Sequence, residues 1–144
     1  MIDMKFLIAF LLSFFFVSTT NAEQYSFKVL RVVDGDTVEI EAPFLPKELK
    51  QSLLLRINGV DVPEKGTRAK CPEENMASLR AKLFVEQEIS NGKNVLILIR
   101  SWDKYGGRIL GDVLIDGIPL SQKLLSRKYA VPYNGRGKKK DWCA

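Results

Sequence analysis

The residues of this chain best suited to chemistry fall in three short runs, each beside an apolar stretch. Val33-Asp34-Gly35-Asp36-Thr37 sets two carboxylates around a glycine. Arg56 to Glu64 (RINGVDVPE) puts a guanidinium, Asp61 and Glu64 within nine residues. Asp103-Lys104-Tyr105-Gly106-Gly107-Arg108 brings a second arginine after a pair of glycines. Singly, each run also reads as a hairpin or a surface loop, and one exposed Arg–carboxylate pair contributes only about 0–1 kcal/mol. Charges buried at the exit of an apolar strand are costly without partners, so the second run should converge on something. Carboxylates can hold a hard cation through oxygen, and arginine stays protonated and grips phosphate through paired hydrogen bonds.

The chemistry is narrowed further by what is missing. There is no histidine in the 144 residues. Imidazole is the usual proton carrier near neutral pH and a common zinc or iron ligand, so Ser-His-Asp hydrolysis, papain-type Cys-His catalysis and His-ligated metal chemistry are excluded. Carboxylates, Arg, Lys, Tyr and a hard metal remain. Lys and Arg number 22 against 17 acids, a net charge of +5 that favours an anionic partner such as nucleic acid.

Several elements must position these groups. Lys5 precedes the apolar runs Phe6–Leu12 and Phe14–Val17, which close on Thr20-Asn21-Ala22, the pattern of a secretory signal cleaved after Ala22. That core falls short of the roughly 20 apolar residues needed to cross a bilayer. The expected layout is a signal peptide over 1–22 and one domain over 23–144, secreted or periplasmic, with no stable membrane association after cleavage. Losing the signal removes one Asp and one Lys and leaves the charge unchanged. In an oxidising setting Cys71 and Cys143 default to one disulfide, with two free thiols as the alternative.

Strands are predicted at Gln24–Val33, Thr37–Glu41, Ser52–Ile57, Asn94–Arg100 and Arg108–Asp116, with a proline-containing loop over 42–50. A long helix begins at Pro72-Glu73-Glu74, acids at its positive end, and stops at Asn91-Gly92. Met76, Leu79, Leu83 and Val85, with Ala77, Ala81 and Phe84, are its expected apolar face. A short helix spans Pro119 to about Arg127. Five short strands interrupted by one long helix suit a small closed sheet of OB type better than a doubly wound sheet.

In their order, the D-G-D-T turn, the R-x-x-G-x-D-x-P-E run and the D-K-Y-G-x-R turn closely resemble the motif set of the thermonuclease family, the staphylococcal-nuclease-like proteins, across nearly all of the chain after the signal. The resemblance implies a mainly β (α+β) fold: a five-stranded OB-fold barrel with one long and one short helix. It implies a Ca²⁺-dependent phosphodiesterase acting on DNA and RNA, single-stranded or frayed regions favoured, and leaving 3′-phosphate and 5′-hydroxyl ends. By it, Asp36 and Asp61 are the carboxylate ligands of Ca²⁺ and the backbone carbonyl of Val62 completes the set. Members often carry Thr at that place, a change a carbonyl ligand survives. Glu64 is implied to position or deprotonate the attacking water, and Arg56 and Arg108 to bind the phosphate. Lys104 and Tyr105 correspond to residues near the substrate's terminal phosphate. Tyr129 and Tyr133 read either as platforms for base stacking or as core and surface aromatics.

Three departures accompany the resemblance. The loop between Thr37 and Arg56 is longer, the third turn carries an extra glycine before Arg108, and the C-terminal helix is truncated or absent. A Cys71–Cys143 disulfide would take over the fastening of the tail, and Lys138-Lys139-Lys140 reads as a solvated run adding salt-sensitive phosphate contacts. A monomeric nuclease is the leading reading. The rivals are a catalytically silent OB-fold module that holds nucleic acid and a structural Ca²⁺-binding domain.

Overall fold

The computed structural model describes residues 22–144, so the expected signal segment lies outside the described residues apart from Ala22. The main sheet contains β1 (Glu23–Tyr25), β2 (Val29–Asp34), β3 (Thr37–Glu41), β4 (Ser52–Ile57), β6 (Val95–Trp102), β7 (Arg108–Ile115) and the short β8 (Ile118–Pro119). The pair β5 (Val60–Asp61) and β9 (Val131–Pro132) stands apart from it. Helix α1 covers Pro72–Asn91, helix α2 covers Leu120–Ser126, and a single 3₁₀ turn occupies Gly66–Arg68. No helix of the described residues is long and apolar enough to cross a membrane.

Strands run in the order β1-β6-β7-β4-β3-β2, with β4 and β7 parallel and the other main neighbours antiparallel. The two ends of this path, β1 and β2, are separated in sequence only by Ser26–Lys28. One N-terminal run therefore pairs first with β6 and then with β3, which brings the sheet round on itself in the OB manner. The strand predicted over Gln24–Val33 is accordingly two strands, because a single straight one cannot serve both neighbours.

Alternation along the strands divides the sheet into two faces. Val38, Ile40, Leu55, Ile57, Ile97, Ile109 and Val113 point into the core and are buried, where Val85 of α1 and Leu120 and Leu124 of α2 close over them. Thr37, Arg56 and Arg108 take the opposite face. In the registers Thr37↔Arg56 and Leu54↔Arg108, the two arginines project from adjacent strands one two-residue step apart.

Helix α1 begins and ends where predicted. Cys71 is its N-cap, with Sγ accepting from the Glu74 N–H at 3.3 Å, and Pro72 fills the first turn. Its inward face agrees with the prediction at Ala81, Phe84 and Val85 and departs from it elsewhere. Met76, Leu79 and Leu83 are exposed, and the residues turned inward are Glu74, Ser78, Ala81 and Val85, with Phe84 and Ile89 partly buried against the core. The reason is proximity: a Cβ on Gly35, in the β2–β3 turn, would lie 2.8 Å from the Ala81 Cβ. Only small side chains fit where helix and turn approach this closely, so the larger residues point outward.

Cys71 and Cys143 form a disulfide with Cα atoms 6.1 Å apart, joining positions 72 residues apart in sequence. In the loop-entropy account such a closure stabilises the fold by about 4 kcal/mol. Among the described residues no helix follows α2. The segment after β9 runs irregularly back to the start of α1, where the disulfide holds it.

Candidate active site

The three charged runs meet around one cavity of about 360 Å³. Asp34 and Asp36 come from the β2–β3 turn and Arg56 from the end of β4. The Ile57 N–H donates to the Asp36 carbonyl at 2.7 Å and stitches these two segments together. Glu64 and Val62 follow β5, whose pairing with β9 sets Asp61 opposite Val131. The β6–β7 hairpin contributes Lys104, Tyr105 and Arg108, and Tyr133 comes from the tail. Every proposed site residue except Asp61 lines the cavity; Asp61 lies buried behind it, 2 % exposed.

Asp36 is the electrostatic centre. Burial pushes its carboxyl up, and the neighbouring Asp34 and Asp61 push the same way. The Arg56 guanidinium and a hydrogen bond donated by the Thr37 hydroxyl at 3.0 Å pull it back without cancelling the rise. Arg56 is held by the Asp36 carboxylate through Nη1 and donates from Nη2 to the Val60 carbonyl at 3.2 Å. Arg56 lines the cavity wall, where its remaining N–H groups can meet an incoming anion.

The extra glycine is absorbed by the turn: Gly106 and Gly107 both adopt left-handed backbone, with φ of 70° and 72°. The hairpin is closed by the Asp103 N–H donating to the Arg108 carbonyl at 3.0 Å, and above that by the Arg108–Asp103 ion pair. Burial alone would raise the Asp103 carboxyl. The Arg108 pair and the backbone N–H groups of Lys104 and Tyr105 outweigh it and hold the group below the ordinary carboxylate range. Arg108 therefore reaches the cavity with its orientation set by Asp103. Tyr105 is 80 % exposed at the rim, with the Lys104 ammonium 5.1 Å from its ring centre.

The residues present fit a hard cation. Asp34, Asp36 and Asp61 bring carboxylate charge close enough that the other two raise the Asp36 carboxyl, and all the donors are oxygens. Cys71, Glu74 and Cys143 also cluster, but both sulfurs are committed to the disulfide and no thiolate remains to bind a metal.

Other residues that the sequence reading left out complete the site. Lys65 donates to the Val33 carbonyl at 2.8 Å and pairs with Asp34 at 2.7 Å, bracing the turn. Arg68 Nε lies 3.3 Å from Glu64 Oε2. The buried Glu74 accepts from the Glu64 N–H at 3.3 Å and from the Lys70 N–H at 2.7 Å, tying the Glu64 loop to the first turn of α1. Lys139 is exposed like the rest of its run, yet its ammonium lies 3.5 Å from Asp61 and 3.4 Å from Glu64. Of the two uncertain tyrosines, Tyr129 stacks on Phe84 with ring centres 4.5 Å apart, against the core. Tyr133 lines the cavity, and its hydroxyl donates to the Gly137 carbonyl at 3.3 Å.

A barrel of OB type with arginines and carboxylates gathered at one end of its outer face defines a nuclease-like or nucleic-acid-binding module. The family model of the staphylococcal nuclease homologue matches residues 54–142, well over half of the chain. The chain belongs to that family. The match begins after the β2–β3 turn, so Asp34 and Asp36 join the site through their place in the cavity. No curated protein matches the chain.

Proposed function

We propose that this protein is an exported, calcium-dependent nuclease, monomeric, that hydrolyses phosphodiester bonds of DNA and RNA, acts most readily on single-stranded or frayed segments, and leaves 3′-phosphate and 5′-hydroxyl ends. The observation that carries the proposal is the convergence of Asp36, Arg56, Glu64 and Arg108, drawn from three separate parts of the sequence, on one cavity. Asp36, Asp61 and the Val62 carbonyl are the groups that would hold the ion. When bound, calcium supplies a hard positive charge that offsets the charge of the phosphodiester.

The remaining work falls to side chains. Arg56 and Arg108 donate to the equatorial phosphate oxygens as in-line displacement builds charge on them, and both remain protonated throughout. Glu64 orients a water and takes its proton, which a carboxylate can do without histidine at a distance of one water from phosphorus. Asp103 keeps Arg108 turned toward the cavity. Tyr105 and Tyr133 offer ring faces at the rim for unpaired bases, a contact that every base can make.

The test is to incubate the mature protein with single-stranded DNA in calcium or in EGTA. Cleavage with calcium alone is expected, with end-group analysis giving 5′-hydroxyl products. Binding without calcium-dependent cleavage would replace this reading with that of a silent nucleic-acid-binding module, which belongs equally to the fold.

A further inference from the structure

The tail after β9 lies along the rim of the site and is anchored there at several points. Lys104 Nζ donates to the Gly135 carbonyl at 2.9 Å, and Trp142 Nε1 donates to Asp61 Oδ2 at 3.4 Å. Cys143 ends the path in the disulfide to Cys71, at the helix start that also holds the Glu64 loop through Glu74. Between these anchors Lys139 places its ammonium almost equally far from Asp61 Oδ1, at 3.5 Å, and Glu64 Oε1, at 3.4 Å. Both separations exceed those of a close ammonium–carboxylate hydrogen bond, and the Lys139 side chain is 47 % exposed. The ammonium therefore bridges the two acids loosely, with water free to reach it.

We propose that Lys139 is an internal cation that competes with the metal for these carboxylates, and that the Cys71–Cys143 disulfide keeps it in place. The inference rests on the reading of Asp36, Asp61 and Val62 as the metal's ligands. Without metal, Lys139 neutralises Asp61, which is buried and would otherwise be a costly bare charge. Metal entry must displace it, so Lys139 lowers metal affinity while offsetting the repulsion between the acids of the empty site. The tether matters because a free tail would spread its lysine over many conformations; fixing Cys143 four residues on raises the effective concentration of the ammonium at the acids. Lys139 is thereby a determinant of the metal concentration at which the enzyme works, and acts through Asp61 and Glu64 without touching substrate.

The oxidised protein, Lys139→Gln, Cys71→Ser/Cys143→Ser and the triple variant are titrated with CaCl₂ alone by calorimetry at low salt. Serine at 71 retains the N-cap, so the helix start survives removal of the disulfide. Lys139→Gln is expected to lower the calcium Kd roughly 2- to 10-fold, the range for a half-exposed ion pair shared by two acids. The double cysteine variant should move it in the same direction, and Lys139→Gln should add little in that background. An unchanged or raised Kd in Lys139→Gln, or an equal effect of that change with and without the disulfide, would overturn the proposal.

A second measurement needs no activity. Brief acylation of the metal-free oxidised protein, mapped by mass spectrometry, should modify Lys139 more slowly than Lys138 and Lys140, and saturating calcium should remove the difference. Equal reactivity of the three lysines without metal overturns the proposal whatever the calcium titration gives. Absence of calcium binding in the unaltered protein would instead refute the metal site itself. That outcome is distinct from one in which calcium binds and Lys139→Gln fails to tighten it.

Discussion

Replacing Glu74 by Ala tests how the Glu64 loop is held. The Glu74 carboxylate is buried, 4 % exposed, at the junction of the loop, the first turn of α1 and the disulfide. It accepts the Lys70 N–H at 2.7 Å and the Glu64 N–H at 3.3 Å, and among the described residues no basic side chain pairs with it. Truncation to Ala strands both donors in a partly buried site, each at a cost of about 1–3 kcal/mol, with the longer bond at the lower end. Losing an acid from the helix's positive end adds about 0.3–1 kcal/mol. The expected total is about 2–4 kcal/mol, a large share of the roughly 5–15 kcal/mol that keeps a domain folded. Glu74→Gln keeps one amide oxygen as acceptor and should cost about half as much. Urea unfolding of the oxidised variants gives these differences directly. In the nuclease assay kcat should fall more than KM rises, because Glu64 loses its position while Arg56 and Arg108 keep theirs. A loss below 1 kcal/mol in Glu74→Ala, or equal losses in Ala and Gln, would refute the idea that the carboxylate acts as the loop's acceptor.

Glu64→Gln should lower the cleavage rate about 10²- to 10⁴-fold with urea midpoints unchanged, since the group is half-exposed and its removal leaves the core untouched; near-normal turnover would remove it from the mechanism. Gly35→Ala should destabilise the protein by about 1–3 kcal/mol, because the new Cβ meets the Ala81 Cβ at 2.8 Å and either turn or helix must shift, and thermal unfolding measures it. Glu39 is held down to about 2 by bonds from Lys50, Ser52 and Arg31. A carboxyl depressed on folding adds stability above its unfolded pKa and loses it as pH falls through its folded one. Wild-type stability should therefore decline from about pH 5 toward pH 2 more steeply than that of Glu39→Gln, and parallel profiles would contradict the assignment.

Local signals made much of the fold legible. Thr37–Glu41 and Ser52–Ile57 are strands to the residue, because each is a β-favouring run bounded by turn formers. The ends of α1 were set by Pro72 with its two acids and by Asn91-Gly92. What the sequence withheld depends on distant neighbours. The break at Ser26–Lys28 arises because one run must satisfy two partners, and the inward face of α1 is chosen by Gly35, far upstream of the Ala81 that it meets. Strands β5 and β9 are two residues each, too short to show a period, yet their pairing directs the tail. Asp36, Arg56, Glu64 and Arg108 were legible as ordered motifs. Lys139 was not, because a lysine among lysines carries no sign of which carboxylates a disulfide will bring it to.

The join between β1 and β6 has a consequence for handling the protein. Only Glu23↔Ile99, Gln24↔Leu98 and Tyr25↔Ile97 cover the outer rim of β6, whose sequence begins with the apolar run Val95-Leu96-Ile97-Leu98-Ile99. Stripped of those three residues, β6 would offer its unpaired N–H and C=O groups along an uncharged, β-favouring segment, the kind of template on which chains add to one another. Trimming at the N-terminus would thus leave the arginines and acids where they are while exposing a strand edge prone to self-association. The residues ahead of Ser26 bear on self-association more than on the arginines and acids of the cavity.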